Sequence, residues 1–194
     1  MDLLLTEEEK MVRHSAREFL EKECPPSLVR EMETDAKGYP PPLWQKAAQL
    51  GWQGMALPEK YGGQDLPLVY LGLIFEEAGR AVAPLPLHST VVAALTIARD
   101  GTEAQREAIL PAVVRGDAVL TWAFTERDPR FLPETIHTQA VASGDHFVIN
   151  GTKLFVDNFV AADQCLVACR TAPGSKGNAG LSLFGKACQR GGLH

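Results

Sequence analysis

Leu110-Pro111-Ala112-Val113-Val114-Arg115-Gly116-Asp117-Ala118-Val119-Leu120-Thr121-Trp122-Ala123-Phe124-Thr125-Glu126 is the stretch whose pattern decides the fold. Up to Gly116-Asp117 the apolar residues recur at a period near 3.6, the spacing of one helix face. Beyond it, Val119 to Thr125 is a short run rich in β-branched and aromatic residues, with the length and composition of a strand. The change of period predicts a boundary at Asp117, with a helical domain over residues 1–117 and a β-rich domain over residues 118–194.

Upstream of that boundary the pattern predicts five helices. The first opens at Thr6, with Glu9 three residues on as the partner in a capping box, and carries Val12, Ala16, Phe19 and Leu20 at helical spacing before Pro25-Pro26 ends it. Pro42 suits the first turn of a short second helix, with Leu43, Ala47 and Leu50 as its buried stripe and Gly51 as its stop. Leu57-Pro58-Glu59-Lys60-Tyr61-Gly62-Gly63-Gln64 reads as a loop with a tight turn at the paired glycines. A third helix, Leu66 to Gly79, is expected to turn Leu68, Leu71, Phe75 and Ala78 inward and Glu76-Glu77 toward water. After the break at Ala83-Pro84-Leu85-Pro86, the nearly all-apolar run Leu87 to Ala98 reads as a buried helix. Thr102 and Gln105 form a second capping box before a helix bearing Ala108, Ile109 and Val113.

Downstream, the period is near 2. Ile136, Thr138 and Ala140 fall on one face, His137, Gln139 and Val141 on the other. Ser143-Gly144-Asp145 reads as a turn, Phe147-Val148-Ile149 as the returning strand, and Asn150-Gly151 as a hairpin signal feeding Lys153-Leu154-Phe155-Val156. Gln164 to Cys169 is a further strand, Thr171 to Gly180 a surface loop, and Leu181 to Phe184 starts one more strand. The tail from Gly185 to His194 reads as having lost strand character. Helices followed by hairpins make an α+β layout, an all-helical domain followed by an antiparallel β-barrel, rather than alternating βαβ units.

The totals exclude several function classes. A net charge of −5 with both signs interspersed offers no steering field for nucleic acid or anionic lipid. No apolar run approaches the ~20 residues that span a bilayer, and the acidic start lacks the positive charge of a secretory signal. A cytoplasmic protein is therefore expected. The four cysteines, Cys24, Cys165, Cys169 and Cys188, form no CxxC pair and no small disulfide scaffold, so they read as reduced structural thiols. The five histidines are scattered, without ligand spacing, and no metal is implied. GxGxxG, GxxxxGK[ST] and GxSxG are all absent, which argues against a Rossmann turn, a P-loop and a nucleophile elbow.

Three local patterns in order move the reading further. Pro58-Glu59-Lys60-Tyr61-Gly62-Gly63 lies in the helical half. Trp122-Ala123-Phe124-Thr125-Glu126 opens the β half after Leu110 to Gly116. Ile149-Asn150-Gly151-Thr152-Lys153-Leu154-Phe155-Val156-Asp157-Asn158 follows, with Ala162-Asp163 beyond. In this order and context the chain resembles an acyl-CoA dehydrogenase, over residues 1 to about 184. The resemblance implies a helical N-terminal domain, a β-barrel middle domain and, in the family, a second helical bundle. It implies bound FAD, held against the barrel, and desaturation of an acyl-CoA between the carbons α and β to the thioester. In that chemistry a carboxylate takes the α proton and the β hydrogen leaves as hydride; the cofactor carries the hard step while the protein supplies position and electrostatics. It further implies electron-transfer flavoprotein as electron acceptor and a homo- or hetero-oligomer. Carried over by position, Trp122, Phe124 and Thr125 would lie beside the flavin ring, and Phe155 and Val156 would flank its other side, with Asp157 where the family commonly has a threonine.

Departures from the family pattern are equally specific. Where the family often has a glycine-rich stretch ending Gly-Ser-Asp, this chain has Arg127-Asp128-Pro129-Arg130-Phe131. Asp157 places a carboxylate where a hydroxyl is usual, which would disfavour an anionic reduced ring unless paired or protonated. Both are similar to a bacterial branch associated with ring-derived or dicarboxylic acyl-CoAs. The family's base is a glutamate, in most branches in the C-terminal helical domain, which this sequence does not contain; no catalytic residue is therefore assigned, and a shortened chain is expected. Glu76, Glu77 and Glu126 are the carboxylates considered in its place, the first two reading as a solvated helix face and Glu126 as part of a turn. Beside the flavoenzyme stands a second reading, a non-catalytic remnant or partner subunit that binds acyl-CoA, FAD or another chain without turnover. Oxidase or monooxygenase chemistry on the same scaffold is a third.

Overall fold

A computed structural model describes residues 4–128, 130–172, 174–175 and 177–188. Among these, six α-helices precede five strands: α1 Glu7–Glu23, α2 Pro26–Met32, α3 Pro41–Gln49, α4 Leu68–Arg80, α5 Leu87–Asp100, α6 Glu103–Val114, then β1 Leu120–Ala123, β2 Gln139–Ser143, β3 His146–Asn150, β4 Gln164–Arg170 and β5 Leu181–Ala187. Both capping boxes form: Thr6 with Glu9 at α1, and Thr102 with Gln105 at α6. Each satisfies two backbone N–H groups that have no intrahelical partner. The α+β class is the one the change of period predicts, and the switch from helix to strand falls between Val114 and Leu120.

Helix α2 departs from expectation. Pro25-Pro26 ends α1 but also starts α2, because a proline at the first helical position surrenders only an N–H that lacks a partner anyway. Leu50 and Leu68, expected inside, are 45% and 62% exposed. Leu50 is the C-cap of α3, just before Gly51 (φ +79°) turns the chain. Leu68 is the first residue of α4, ahead of the turn that packs. Leu73 and Ile74 take the inward places with Leu71.

A larger correction concerns Glu77. It does not face water: it is fully buried, with Arg17 Nη2 at 2.6 Å from Oε1 and Arg80 Nε at 2.7 Å from Oε2. The Arg17 bond holds its carboxyl well below the usual range, to about 2, overriding the opposing effect of burial, with the Arg80 bond helping. Such a carboxylate is tolerated inside only because both oxygens are paired. The pair ties α1 to α4.

The helical core gathers around Leu20, Trp44, Ala47, Leu71, Ile74 and Val91. A second cluster of Leu57, Tyr61, Ala94, Ile97, Leu110 and Val113 extends to Leu120 of β1, so the first strand is packed against the helices. The sheet has the order β1-β4-β2-β3, with β5 also paired to β4. Strand directions are mixed: β2–β3 and β4–β5 are antiparallel, while β1–β4 is parallel, pairing Leu120 with Gln164 and Ala123 with Val167. Thr138 and Ala140 are buried while Gln139 and Val141 are exposed, as the alternation requires. Ala123, Ala140, Cys165, Val167 and Cys169 form the sheet's own core.

Two expectations about the β half fail for local reasons. Asn150-Gly151 makes no hairpin, and residues 151–156 are not a strand. Gly151 is needed for close approach instead, since a Cβ there would meet the Thr138 hydroxyl at 2.3 Å. Strand β5 also runs beyond Phe184, because Gly185, Lys186 and Ala187 continue the ladder with Leu166, Cys165 and Gln164. The rest of the expected tail, residues 189–194, lies outside the described residues. The expected surface loop and the Arg127–Phe131 departure are described except at residues 129, 173 and 176. No helix among the described residues is long and apolar enough to cross a membrane.

Candidate functional site

The second and third sequence patterns come together. From residue 153 the chain runs back along the end of β1 in the opposite direction. Lys153 Nζ donates to the Phe124 carbonyl at 3.1 Å and to Glu126 Oε1 at 2.9 Å. The Leu154 N–H donates to the Thr125 carbonyl at 2.8 Å, and Thr121 Oγ1 donates to the Asp157 carbonyl at 2.6 Å. Residues 153–157 thus form a strap along Thr121 to Glu126, held by these separate bonds rather than by a continuous strand ladder or a hairpin. Asn158 then donates to Ser89 Oγ of α5 at 3.1 Å, tying the strap to the helices.

The candidate side chains divide between faces. Trp122 and Phe124 share one face of β1, their ring centroids 6.3 Å apart, and Phe131 stacks on Phe124 at 6.0 Å with planes 4° apart. Beside them Val92 and Thr96 of α5, with Leu166, Ala168 and Leu183, leave a gap of about 50 Å³. That is room for a water or two, far less than a three-ring cofactor needs. Val156 lies on the opposite side of the sheet, where it borders a cavity of about 360 Å³ with Ala123, Thr138, Ile149, Phe159 and Val167. Lys153 and Lys186 also line that cavity.

Phe155 and Thr125 carry the features that call for a ligand. Phe155 is 85% exposed and held at φ +53°, a left-handed backbone that a bulky residue adopts at a cost. Thr125 is nine-tenths buried, yet its hydroxyl makes no hydrogen bond with any described residue. The hydroxyl itself is open to solvent rather than orphaned, so water or a ligand can meet it as donor and acceptor. The Asp157 carboxylate is exposed and has no ion pair among the described residues. An unpartnered hydroxyl beside an outward aromatic fits a flat, hydrogen-bonding ring such as a flavin's; the space between Trp122 and α5 does not.

Glu126 is removed from candidacy as a base. Its Oε1 accepts from the Thr138 N–H at 2.9 Å, the Thr138 hydroxyl at 2.7 Å and Lys153 Nζ, while Oε2 accepts the His137 N–H at 2.9 Å. Burial pushes its pKa up, but the bonds from Lys153, Thr138 and His137 outweigh burial and hold the carboxyl below its usual value. A carboxylate engaged by four donors and held ionised in this way is poorly suited to take up a substrate proton. Glu77 is likewise spent on Arg17 and Arg80. Sequence reasoning missed the Glu126–Lys153–Thr138 network: all three residues lie in recognised segments, but the hairpin expected at Asn150-Gly151 would have carried Lys153 away. Among the described residues no cluster of His, Cys, Asp and Glu is placed to hold a metal.

Comparison with known proteins gives a consistent result. The family model described as "Acyl-CoA dehydrogenase, N-terminal domain" matches residues 6–117. A short-chain-specific acyl-CoA dehydrogenase of Clostridium acetobutylicum is 31% identical over 188 residues, covering 95% of this chain and 48% of that protein. The crystal structure of an acyl-CoA dehydrogenase from Geobacillus kaustophilus is similar with a TM-score of 0.81 and 31% identity, over 96% of this chain and 50% of that one. A glutaryl-CoA dehydrogenase from Mycobacterium smegmatis, solved in complex with FADH2, is similar with a TM-score of 0.77 and 25% identity, over 94% and 46% of the two chains. The chain spans about half the length of the curated relatives it matches.

Proposed function

The chain belongs to the acyl-CoA dehydrogenase family, and from that premise we propose that it carries the flavin-facing half of an FAD-dependent α,β-desaturation of an acyl-CoA thioester. The observation that carries this reading is the strap. It brings Phe155 to the end of β1, where the Thr125 hydroxyl has no partner among the described residues. When bound, FAD would supply the hydride-accepting chemistry. The chain's own part would be positional: the Thr125 hydroxyl would hold the ring's polar edge, and Phe155 would cover one side. Trp122 and Phe124, turned toward α5, serve behind the ring by fixing β1 rather than by stacking on it. Val156 fills the sheet interior below, and Asp157 lies at the strap's turn with its charge in solvent. In this reading residues 1–117 are the helical wall and residues 118–194 the flavin-bearing domain. The protein works in the cytoplasm, as a homo- or hetero-oligomer that hands electrons to an electron-transfer flavoprotein.

A second reading is a non-catalytic subunit that binds acyl-CoA or FAD without turnover, and it bears on the two carboxylates weighed as base. Glu77 and Glu126 are both engaged in ion pairs, so the described residues offer no free carboxylate among those two. Titration of the purified chain with FAD, followed by addition of acyl-CoA, tests both readings. Binding with bleaching of the flavin spectrum supports the enzyme; binding without bleaching supports the non-catalytic subunit. A chain that takes up no FAD at all would overturn both flavin-based roles.

A further inference from the structure

The Glu126–Lys153 pair has a peculiarity that neither a surface ion pair nor a core contact shares. Both side chains are about nine-tenths buried, and Lys153 divides its ammonium between the Glu126 carboxylate and the Phe124 carbonyl. Glu126 is fixed in turn by three donors from His137 and Thr138, at the entry to β2. A buried pair of this kind is often replaceable by apolar residues without loss of stability, so stability is a weak reason for its presence. What it does specify is register. Lys153 is adjacent to Leu154, whose N–H meets the Thr125 carbonyl, and two residues before Phe155. Gly151, whose lack of a Cβ lets it lie against Thr138, brings the chain in to that point.

We propose that the buried Glu126–Lys153 pair is a positioning element for the cofactor site, locking the strap 153–157 against Phe124-Thr125 and so setting where Phe155 stands relative to the Thr125 hydroxyl. Neither residue touches the cofactor; both act through the peptide groups of Phe124, Thr125 and Leu154. The cofactor part rests on the flavin reading above, whereas the locking of the strap does not. Holding a site in its productive geometry depends on supporting groups of this kind, since small displacements of the contacting groups are costly.

The test uses the chain with Lys153→Met, Lys153→Arg and the double change Glu126→Gln with Lys153→Met. Amide exchange of Leu154 and of the β4 residues Cys165 to Cys169 is followed without ligand. The dissociation constant for FAD is then read from flavin fluorescence. Lys153→Met should speed Leu154 exchange by about tenfold while β4 keeps its protection, and weaken FAD by about tenfold, with Lys153→Arg restoring both to within about threefold. The double variant removes both charges, so it stays folded if an orphaned Glu126 unfolds the single one, and it should show the same selective loss. Unchanged Leu154 exchange, or equal acceleration at Leu154 and throughout β4, would overturn the proposal, because the pair would then be only a contributor to stability. If the wild-type chain binds no FAD while the selective exchange effect persists, the flavin reading falls and the locking of the strap stands.

Discussion

Thr90 and Leu120 bond to each other twice across the meeting of helix and sheet. The Leu120 N–H donates to Thr90 Oγ1 at 3.1 Å, and Thr90 Oγ1 donates to the Leu120 carbonyl at 3.2 Å. Both residues are buried, so the hydroxyl satisfies peptide groups at the start of β1 that water does not reach. Side chain and strand are thereby joined where α5 meets the first candidate-site segment.

Replacing Thr90 by valine keeps the shape and deletes both bonds. The expected cost is about 2–3 kcal/mol, because the Leu120 peptide groups remain buried without a partner. Thr90→Ser retains the hydroxyl and should cost about 1 kcal/mol for the lost methyl. Urea denaturation midpoints of the three proteins measure both effects, and equal losses in Val and Ser variants would contradict the hydrogen-bond account.

Glu77 predicts a particular acid sensitivity. Its carboxyl is held at about 2 in the folded chain, below the ordinary glutamate value. The folded form therefore binds fewer protons than the unfolded one. Stabilisation from this group is complete above pH ~4.5 and drains away as pH falls toward 2. Glu77→Gln should cost about 3 kcal/mol near neutrality, since Arg17 and Arg80 lose a shared partner and a polar amide stays buried. Thermal melts across pH 2.5 to 7 check the sign: the gap between wild type and variant should narrow steadily on the acid side.

Burial pushes the Cys165 thiol up to about 12 and the Cys169 thiol up to about 11. Since the thiolate is the reactive form, both should resist disulfide-exchange reagents at pH 8 in the folded chain. Labelling in urea should be faster by about a hundredfold or more, reflecting the free energy of opening the sheet. Rapid native labelling at these two positions would mean that β4 opens locally and is not part of the stable core.

The parts of this structure that sequence discloses are those governed by neighbours along the chain. Thr6 with Glu9, Thr102 with Gln105, and the alternation through Ile136, Thr138 and Ala140 each follow from local geometry, and each takes its expected form. What stays hidden depends on partners far away in sequence. Glu77 reads as solvated because Glu76 beside it is, and only the packing of α1 on α4 brings Arg17 within 2.6 Å. Asn150-Gly151 has the composition of a turn, but its glycine serves the approach to Thr138, thirteen positions earlier. The same misreading conceals Lys153 as the partner of Glu126. The order of motifs indicates which segments meet, while the division of Trp122 and Val156 between opposite faces emerges only once β1 is paired in the sheet and packed against the helices.

Phe155 sets stability and binding against one another. At φ +53° and 85% exposure it buries little and strains its backbone, so its presence has no folding rationale. Asparagine tolerates the left-handed region because its short polar side chain bonds locally. Phe155→Asn should therefore leave the melting temperature unchanged or raise it, by the equivalent of up to about 1 kcal/mol. On the flavin reading the same change removes the aromatic cover from one side of the ring and should weaken FAD by about tenfold. Phe155→Tyr, which keeps the ring, should retain binding. Melting curves and flavin titrations on the three proteins separate the two effects. A stability loss on Phe155→Asn would mean that the side chain packs in the folded chain, and an unaltered affinity would remove Phe155 from the site and leave Thr125 as its main support.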